Sequence, residues 1–419
     1  MTLDAASARG RVDKEYLARM TQLLVDIPSP TGSEAEVARA YGEEMRRLGM
    51  EVELQEVEAG RPNAVGRWKG TGRGIRTLFD GHLDTSFAGT EEELSGAGYR
   101  TRTVRDGDVL VGMGTFNMKG ALACYLGAIK ALQEEGIDLP GEVTVAGVVG
   151  EIEKSPVGRF QGPSYRGYGR GTQYLIGHGL SADWAILGEP TGLELIRGHF
   201  GTVWVRLSVS GDIIHTAWSS GKRNAIETWA ERVYPRWQAW RRRFQEGAVH
   251  EGIPGVVNLA AVEGGWPWRA ARTPPSCEMF FDVRTPPPMT PAQLAHDLDA
   301  EVARWNAEDP GLEASVSYYV TEPGTELPAT HPLVTTLGAA HAAVTGAPPR
   351  VGFVTWYSDA ALLNRFGIAA VNYGPSGRLP EGGVGFSLPR GEYILLPDMV
   401  TCTQVYVEWL IRAAQASGG

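Results

Sequence analysis

The chain has 419 residues, of which 43% are hydrophobic and 21% charged, and its formal net charge is -10 at pH 7. This composition is typical of a globular protein with two domains, or with one large domain that carries an insertion. The acidic balance argues against nucleic acid as a partner, and no apolar stretch is long enough to span a membrane. Since no secretion signal is recognised and three widely spaced cysteines form no disulfide framework, we expect a cytoplasmic protein.

The first part of the chain alternates between helical and strand-like patterns. A helical period over 14–27 ends where Pro28 prevents continuation. Ser33 followed by Glu36 predicts a capping box that opens a second helix over 34–48. Further runs predict a helix over 118–133 and three strands, at 52–57, 75–79 and 143–149. This alternation predicts the α/β class with a mainly parallel sheet, whose functional loops follow the carboxyl ends of the strands.

The pattern changes near Gly201 and changes back after Pro323. Between these points, short strands alternate with amphipathic helices, over 203–210, 224–244, 277–283, 291–306 and 316–320. We therefore predict a split domain with a smaller α+β insertion. The predicted bounds are 1–200 and 323–419 for the two segments of the split domain and 201–322 for the insertion. A stretch rich in glycine, tyrosine and arginine, 156–171, predicts a long loop of the kind that is often functional.

A histidine motif closely follows the predicted strand 75–79. It reads Gly81-His82-Leu83-Asp84-Thr85. An imidazole is a good ligand for a borderline transition metal, and a carboxylate two residues on can hold its other ring nitrogen. The same triplet also fits a loop histidine that is hydrogen-bonded to a nearby aspartate. His82 becomes a candidate ligand, oriented by Asp84, because of the motifs that accompany it.

These other motifs occur in order along nearly the whole chain. They are Pro28–Gly32, Gly112–Gly120, Gly188–Thr191, Gly211–Thr216, Gly264-Gly265, Asp282–Arg284, Ser358–Ala360 and Gly374–Gly377. Together they resemble the metal-dependent peptidase family M20, which contains aminoacylases, carboxypeptidases, dipeptidases and desuccinylases. The resemblance implies a split catalytic domain, an inserted lid and dimerisation domain, and two metal ions bridged by one aspartate and one water.

The metal ligands of the family are only partly present. His82 matches the first histidine ligand, and Glu189 matches an acidic ligand of the same ion. The bridging aspartate is replaced by Asn117. Glu151 matches the general base, but Ile152 stands where a second glutamate would bind the other ion. The late histidine ligand of that ion has no counterpart, because all eight histidines lie upstream of the matching segment.

The losses fall mainly on one of the two ions. The two ligands that bind only that ion, the second glutamate and the late histidine, are absent. The bridging aspartate is replaced by the neutral amide of Asn117, which is a poorer ligand than a carboxylate. We therefore expect a single, weakly bound divalent transition metal ion, Mn, Zn or Co, with Glu151 as the general base for a metal-activated water. The predicted metal ligands are His82, Asn117 and Glu189. A dinuclear site rebuilt with Glu153 or Glu392, and a relative without metals, are the alternatives.

Three residues of the insertion are expected to contact the substrate by the same resemblance. His215 matches a histidine that stabilises an oxyanion in the site of a neighbouring subunit, which implies a homodimer or a higher homo-oligomer. Arg284 and Asn258 match positions that contact a substrate carboxylate; a structural salt bridge and a turn are the alternatives. Phe116 and Phe386 flank the altered motifs and favour an apolar pocket for a flat substrate.

These features favour hydrolysis of a non-peptide C–N bond in a small carboxylate-bearing molecule. An aromatic substrate such as 5-nitroanthranilate, which would lose ammonia from its ring, is one expectation. An amidohydrolase of N-acyl amino acids or a peptidase is the first alternative. The second is a binding protein that keeps the pocket and has no activity.

Overall fold

The structure is a computed structural model that describes residues 4–375, 386–387 and 391–416. Its residues divide into two compact units. The first comprises Met1–Arg197, Leu327–Gly352 and Ser358–Gly419, and the second comprises Gly198–Glu326 and Phe353–Tyr357. The whole of the predicted insertion, 201–322, falls within the second unit.

The helices are, in chain order, α1 (Ala5–Gly10), α2 (Lys14–Val25), α3 (Ala35–Arg47), α4 (Gly120–Glu134), α5 (Arg170–Gly177), α6 (Ala225–Thr228), α7 (Tyr234–Gly247), α8 (Pro291–Glu308), α9 (Pro332–Thr345), α10 (Ala360–Arg365) and α11 (Leu396–Ala416). Within the described ranges, none of these helices combines the length and the apolar character that crossing a bilayer requires. Short or irregular helical turns add Thr115–Lys119, Pro163–Tyr165, Thr216–Trp218, Trp229–Val233 and Pro267–Arg269.

The strands are β1 (Glu51–Glu58), β2 (Arg61–Trp68), β3 (Thr77–His82), β4 (Val104–Asp106), β5 (Val109–Val111), β6 (Val143–Val148), β7 (Trp184–Leu187), β8 (Leu195–His199), β9 (Gly201–Ser210), β10 (Val249–His250), β11 (Ile253–Pro254), β12 (Val256–Gly264), β13 (Ser276–Thr285), β14 (Ala314–Glu322), β15 (Thr325–Glu326), β16 (Val351–Val354), β17 (Ala369–Asn372), β18 (Phe386–Ser387) and β19 (Gly391–Leu395).

The main sheet of the first unit runs in the order β1-β2-β6-β3-β7-β17-β8. The four strands β6, β3, β7 and β17 are parallel, whereas β1, β2 and β8 pair antiparallel with their neighbours. The predicted α/β class is confirmed, and the parallel strands β6, β3, β7 and β17 form the centre of a mixed sheet. The unpredicted strand β2 contains Pro62 and Gly66, which have low strand propensity, but it gains partners on both sides in β1 and β6.

Both faces of this sheet are covered by helices. Phe79 and Ile186 pack with residues of α2, α3, α4, α9 and α11, whereas their neighbours Leu78 and Ala185 pack on the opposite face with α5 and α10. Successive side chains of a strand point to opposite faces, so a strand covered on both faces is apolar throughout. Polar residues then concentrate where these strands end.

The second unit contains a four-stranded antiparallel sheet in the order β12-β13-β9-β14. Its helices α7 and α8 supply Trp237 and Trp305, which pack in one core with Val203, Val205 and Leu207 of β9. The burial of β9 alternates with a period of two residues, which is the pattern from which it was predicted. The sequence analysis missed β12, whose residues are mostly exposed.

The predicted capping box of the second helix does not form. Helix α3 begins after Glu34. The carboxylate of Glu34 accepts a hydrogen bond from the backbone N–H of Gly32 at 3.0 Å and pairs with the guanidinium of Arg61 at 2.6 Å. Both members of this ion pair are buried, so the pairing of their charges takes precedence over a local cap.

Replacing Trp237 with alanine is expected to lower the free energy of unfolding by about 3–5 kcal/mol, because its side chain is fully buried against Tyr234 and Phe281. Trp268 is 77% exposed and serves as the control: its replacement with alanine is expected to change the free energy of unfolding by about 0.5 kcal/mol or less. Urea denaturation followed by circular dichroism measures the free energy of unfolding of both variants. An equal decrease of that free energy in the two variants would contradict the packing of Trp237.

Candidate metal centre

The site is built at the ends of three neighbouring strands. In the order β6-β3-β7, His82 ends the middle strand, Glu151 lies just beyond one neighbour and Glu189 just beyond the other. These strands are parallel, so their carboxyl ends meet at one edge of the sheet. The topology therefore brings together three side chains that are far apart in sequence.

His82 is fully buried, and its two ring nitrogens have different surroundings. Its Nδ1 lies 2.8 Å from the backbone oxygen of Asp84, which can only accept a hydrogen bond. Nδ1 therefore carries the proton of the neutral ring, and Nε2 presents a lone pair. That Nε2 lies 3.0 Å from Oδ1 of Asn117 and 3.8 Å from Oε2 of Glu151.

Glu151 and Glu189 complete the cluster. Each of the three residues, His82, Glu151 and Glu189, offers one nitrogen or oxygen ligand atom, and these atoms lie within 4.8 Å of one another. All three residues are buried. Among the described residues, no lysine or arginine forms an ion pair with either glutamate, and His82 is the basic side chain beside them.

Asp84 performs a different task from the one predicted. Its carboxylate lies 3.7 Å from Nδ1 of His82, and the closer contact to that nitrogen is its own backbone oxygen. The carboxylate instead accepts hydrogen bonds from the backbone N–H of Glu151 at 3.1 Å, from that of Ile152 at 3.3 Å and from the hydroxyl of Thr31 at 2.8 Å. The backbone oxygen of Asp84 thus holds the ring of His82, and its carboxylate holds the loop that contains Glu151.

The glycine-rich turn before α4 delivers Asn117. Oε2 of Glu392 accepts hydrogen bonds from the backbone N–H of Gly114 at 2.9 Å and from that of Asn117 at 3.0 Å. Burial raises the pKa of Glu392 to about 7, against the lowering effect of these N–H groups. The peptide bond between Asn117 and Met118 is cis. Oε2 of Glu392 therefore holds the turn in place through these two hydrogen bonds.

The buried charges shift the pKa values of all three cluster residues upward. Burial and the charges of Glu189 and Asp359 raise the pKa of Glu151 well above its ordinary value. Burial likewise raises the pKa of Glu189, although His82 lowers it. Burial lowers the pKa of His82, but Glu189 and Asp84 raise it by more. Without a cation, the cluster holds protons at a pH where exposed carboxyl groups have lost them.

A second acidic pair, Asp80 and Asp359, lies near the cluster. The hydroxyl of Thr172 is 3.1 Å from Oδ2 of Asp80 and 2.5 Å from Oδ2 of Asp359. Burial is the main cause that raises the pKa of Asp80 to about 7 and that of Asp359 well above its ordinary value. The sequence analysis did not single out Asp80, although it is a carboxylate inside an otherwise apolar strand two residues before His82.

The remaining predicted residues are not part of this cluster. His215 lies in the second unit, where its Nδ1 accepts a hydrogen bond from the backbone N–H of Ala217 at 3.1 Å. Arg284 pairs with Asp282 at 2.6 Å, and Asn258 lies opposite Asp282 on the neighbouring strand. Directly opposed residues of an antiparallel pair share one face of the sheet, and so do residues two apart on one strand. Asn258, Asp282 and Arg284 therefore lie on the same face.

Two other sequence predictions concern Glu153 and the segment matched to the late histidine. Glu153 is outside the three-residue cluster, but its charge raises the pKa of both Glu151 and Glu189, so it lies nearby. Half of the segment 385–392 falls outside the described residues, and so does the side chain of Phe386.

The chemistry of the donor atoms fits a divalent cation. The Nε2 lone pair of His82 faces oxygen atoms of Asn117 and Glu151, and two lone pairs at this distance repel unless a proton or a cation lies between them. The imidazole of His82, the amide oxygen of Asn117 and the carboxylate of Glu189 are a donor set suited to Zn, Mn or Co, and the carboxylate of Glu151 lies beside them. The hydrogen bond from Nδ1 to a backbone oxygen is the usual support for a histidine ligand.

The profile of peptidase family M20/M25/M40 matches residues 78–412. The chain belongs to this family. A deformylase of N-formyl-4-amino-5-aminomethyl-2-methylpyrimidine from Bacillus subtilis is 25% identical over 431 aligned positions, covering 95% of this chain and 94% of the relative. Acetylornithine deacetylase from Vibrio campbellii is 28% identical over 331, covering 76% and 79%. The family consists of hydrolases of C–N bonds that depend on divalent metal, and this member is a hydrolase of that class.

Solved structures show the same fold. The dipeptidase Dug1p from Saccharomyces cerevisiae superposes with a TM-score of 0.75 at 12% identity, covering 99% of both chains. The metallo-carboxypeptidase Sso-CP2 from Sulfolobus solfataricus gives 0.72 at 16% identity, covering 95% of this chain and 99% of that one. The chain therefore has the same fold as these two structures.

Metal binding by this M20 protein is expected to release protons, because the pKa values of Glu151, Glu189 and His82 are raised and a metal displaces the protons they hold. The metal-bound form carries fewer protons, so affinity should rise with pH, by roughly tenfold per unit for each proton released. Calorimetric titration with Mn²⁺ between about pH 6 and 8, in buffers of different ionisation enthalpy, measures the release. An affinity that is independent of pH would contradict the electrostatics described above.

Proposed function

We propose that this M20 protein hydrolyses a non-peptide C–N bond in a small carboxylate-bearing molecule, using one divalent ion held by His82, Asn117 and Glu189. The observation that carries the proposal is the position of Nε2 of His82, which faces oxygen atoms of Asn117 and Glu151 in a buried cluster where no described lysine or arginine pairs with the glutamates. The bound ion would supply Lewis-acid activation of the attacking water. Mn, Zn and Co all suit this donor set.

Glu151 is proposed as the group that moves the proton. Its carboxylate accepts a proton from the attacking water and returns it to the leaving nitrogen. The raised pKa of Glu151 suits both steps, because a base that is too weakly basic cannot take the proton and one that is too strongly basic cannot release it. Asp84 holds the backbone N–H groups of Glu151 and Ile152 and thereby fixes the position of that carboxylate.

The number of ions is proposed to be one. A second ion would need further ligands, and Ile152, at the position of a missing glutamate, has a buried apolar side chain. Glu392 is an unsuitable replacement, because its Oε2 already accepts two backbone hydrogen bonds. Glu153, whose charge acts on both cluster glutamates, is the remaining acid from which a second site could be rebuilt.

Two substrate classes compete for this site. An aromatic amine such as 5-nitroanthranilate fits a single weakly bound ion and would lose ammonia from its ring. Removal of a small acyl group from nitrogen is favoured by the relatives, because the Bacillus subtilis protein, similar over 95% of this chain, is named as a deformylase and the Vibrio campbellii protein as a deacetylase. Both reactions break a C–N bond with water, and both use the same proton transfers at Glu151.

The second unit is proposed to contact the substrate. Arg284 and Asn258, on one face of its sheet, would bind the substrate carboxylate, and His215 would stabilise the negative charge that develops in the transition state. In this proposal the protein acts as a homodimer or a higher homo-oligomer, with His215 serving the site of a neighbouring subunit. A binding protein without activity is the alternative that the following variants test.

Replacing Glu151 with glutamine is expected to lower kcat by about 10²–10⁴-fold, because an amide cannot accept the proton of water. Metal and substrate should still bind, since the carboxylate is proposed to act on the proton and not to hold the ion. Steady-state kinetics on N-formyl and N-acetyl amino acids and on aminobenzoates measures turnover, and elemental analysis measures the metal.

The matched control is Glu153→Gln, which removes a neighbouring carboxylate and should leave kcat within about threefold. Loss of bound metal in Glu151→Gln would show that this residue is a ligand and would overturn its assignment as the base. Unchanged kcat in Glu151→Gln would remove it from the mechanism altogether. An inactive wild-type protein that still binds metal and ligand would favour the non-catalytic alternative.

Replacing Asn117 with aspartate is expected to tighten metal binding by at least about tenfold, because a carboxylate adds a negative charge next to the ion. Titration of the apoprotein with Zn²⁺ against a competing chelator measures the affinity. Asn364→Asp makes the same chemical change in α10, where the side chain hydrogen-bonds with Ala370, and should leave the affinity unchanged. An Asn117→Asp variant with unchanged affinity would show that residue 117 does not bind the ion.

A further inference from the structure

A tyrosine hydroxyl bonds to the ends of the two strands that deliver His82 and Glu189. Tyr125 lies in helix α4 and is fully buried. Its hydroxyl donates a hydrogen bond to the backbone oxygen of Asp80 at 2.8 Å and accepts one from the backbone N–H of Gly188 at 2.5 Å. Asp80 precedes His82 by two residues, and Gly188 directly precedes Glu189. The hydroxyl therefore contacts both strand ends next to the proposed ligands.

The hydroxyl occupies a place that a direct backbone hydrogen bond would otherwise fill. The parallel ladder between β3 and β7 reaches the pair Asp80 and Leu187. The oxygen of Leu187 accepts a hydrogen bond from the N–H of Tyr373, which directly follows β17. Backbone groups of successive strand residues point to opposite sides, so the N–H of Gly188 points towards β3, where the oxygen of Asp80 is the next ladder partner. Both groups bond to Tyr125 instead.

This replacement widens the gap between the two strand ends. Backbone groups that bond directly lie about 2.9 Å apart. Here the hydroxyl oxygen is bonded to both groups and takes the place of their direct contact. The strands therefore separate where the chain leads into His82 and Glu189. A metal ion lies about 2 Å from each ligand atom, so two ligands of one ion have to be held apart to leave room for it.

Close packing keeps α4 against the same strand ends. A Cβ at Gly188 would lie 2.5 Å from the Cβ of Ala121 and 2.6 Å from the hydroxyl oxygen of Tyr125. A Cβ at Gly81 would lie 2.6 Å from Cε of Met118. Both strands thus meet the helix at glycines, where the absence of a side chain allows the close approach. The position of the hydroxyl is fixed by this packing.

The helix that carries Tyr125 also begins at the turn that delivers Asn117. The ring of Tyr125 stacks on that of Phe79 in β3, with the ring centroids 4.7 Å apart, which fixes the direction of the hydroxyl. One side chain therefore links the three elements that supply the proposed metal ligands, namely β3, β7 and the turn before α4.

We propose that Tyr125 is a positioning residue of the metal centre and that its hydroxyl sets the separation of His82 and Glu189. The inference rests on the proposed function, because it takes these two residues as ligands of one ion. The hydroxyl acts through the backbone and does not bind the ion. Without it, the buried N–H of Gly188 and the buried oxygen of Asp80 lose their partner. They regain one by bonding to each other, which moves Glu189 towards β3.

The test compares full-length Tyr125→Phe with the wild type, because this change removes the hydroxyl and keeps the ring. Titration of the apoprotein with Zn²⁺ against a competing chelator measures the affinity, and the absorption spectrum of the Co²⁺-loaded protein reports the coordination of the ion. Tyr125→Phe should weaken Zn²⁺ binding by about 10–100-fold, as does the loss of other groups that orient metal ligands, and should change the Co²⁺ spectrum. A purely structural hydroxyl would leave both measurements unchanged.

The matched control is Tyr41→Phe. Tyr41 is fully buried as well, and its hydroxyl donates to the backbone oxygen of Leu122 in the same helix at 3.0 Å. Both variants lose one buried hydrogen bond, so both should lower the urea midpoint of the apoprotein. Tyr41→Phe should keep the Zn²⁺ affinity within about twofold, because its hydroxyl bonds to neither ligand strand.

A second variant, Gly188→Ala, keeps the hydroxyl and disturbs its contact with β7, since the new Cβ would lie 2.6 Å from the hydroxyl oxygen. This variant should also weaken Zn²⁺ binding, by at least about fivefold. It decides the question if Tyr125→Phe does not fold. Wild-type affinity in a folded Gly188→Ala protein would then overturn the inference.

The contrary outcomes distinguish this inference from the proposed function. If the wild type binds one ion and cleaves a C–N bond while Tyr125→Phe keeps the wild-type affinity and spectrum, the inference is overturned and the proposed function stands. An equal loss of affinity in Tyr41→Phe would also overturn the inference. If Tyr125→Phe weakens binding as expected but the wild type cleaves no C–N bond, the inference stands and the proposed reaction fails. A wild type that binds no divalent ion would overturn both.

Discussion

The physical constraint on which the site depends is the burial of several carboxyl groups around one imidazole. Glu151, Glu189 and Asp84 lie close to His82, away from water, and none of the described lysines or arginines forms an ion pair with the two glutamates. Charges of one sign in a buried space raise each other's pKa until a proton or a cation neutralises them. The fold stabilises this arrangement only when such a partner is bound, so metal binding and the charge state of the cluster are coupled.

The strand order explains how the fold holds such a cluster. Helices cover both faces of the sheet, so its central strands are apolar, and polar residues are placed at the ends of β6, β3 and β7. The ring of His82 is held by the backbone oxygen of Asp84, and the Glu151 loop is held by the carboxylate of Asp84. Asp84 thus sets the distance between His82, the proposed ligand, and Glu151, the proposed base. A rigid edge of a sheet serves this purpose better than a free loop.

Much of this could be predicted from the sequence, because the resemblance to the M20 family singles out His82, Glu151 and Glu189, and each of them follows an apolar run that would end at one edge of a parallel sheet. The role of Asp84 could not be predicted, because its backbone oxygen and its carboxylate compete for Nδ1 of His82 and only the folded geometry decides between them. The same reason applies to Glu34. The sequence predicted a local cap from Ser33 and Glu36, but helix α3 begins after Glu34, whose partner Arg61 is 27 residues away in the chain. Strand β2 was missed because pairing on both sides outweighs its weak propensity.

Ile152 bears on the proposed number of metal ions. By resemblance it matches the position of a glutamate ligand, its side chain is buried, and its backbone N–H and oxygen bond the carboxylate of Asp84 and the N–H of Tyr168. A buried apolar side chain disfavours a second cation beside it, because the ion would lose hydration without gaining a ligand. One position of the fold therefore combines a side chain that offers no ligand atom with a backbone N–H that helps to hold the loop of the proposed base.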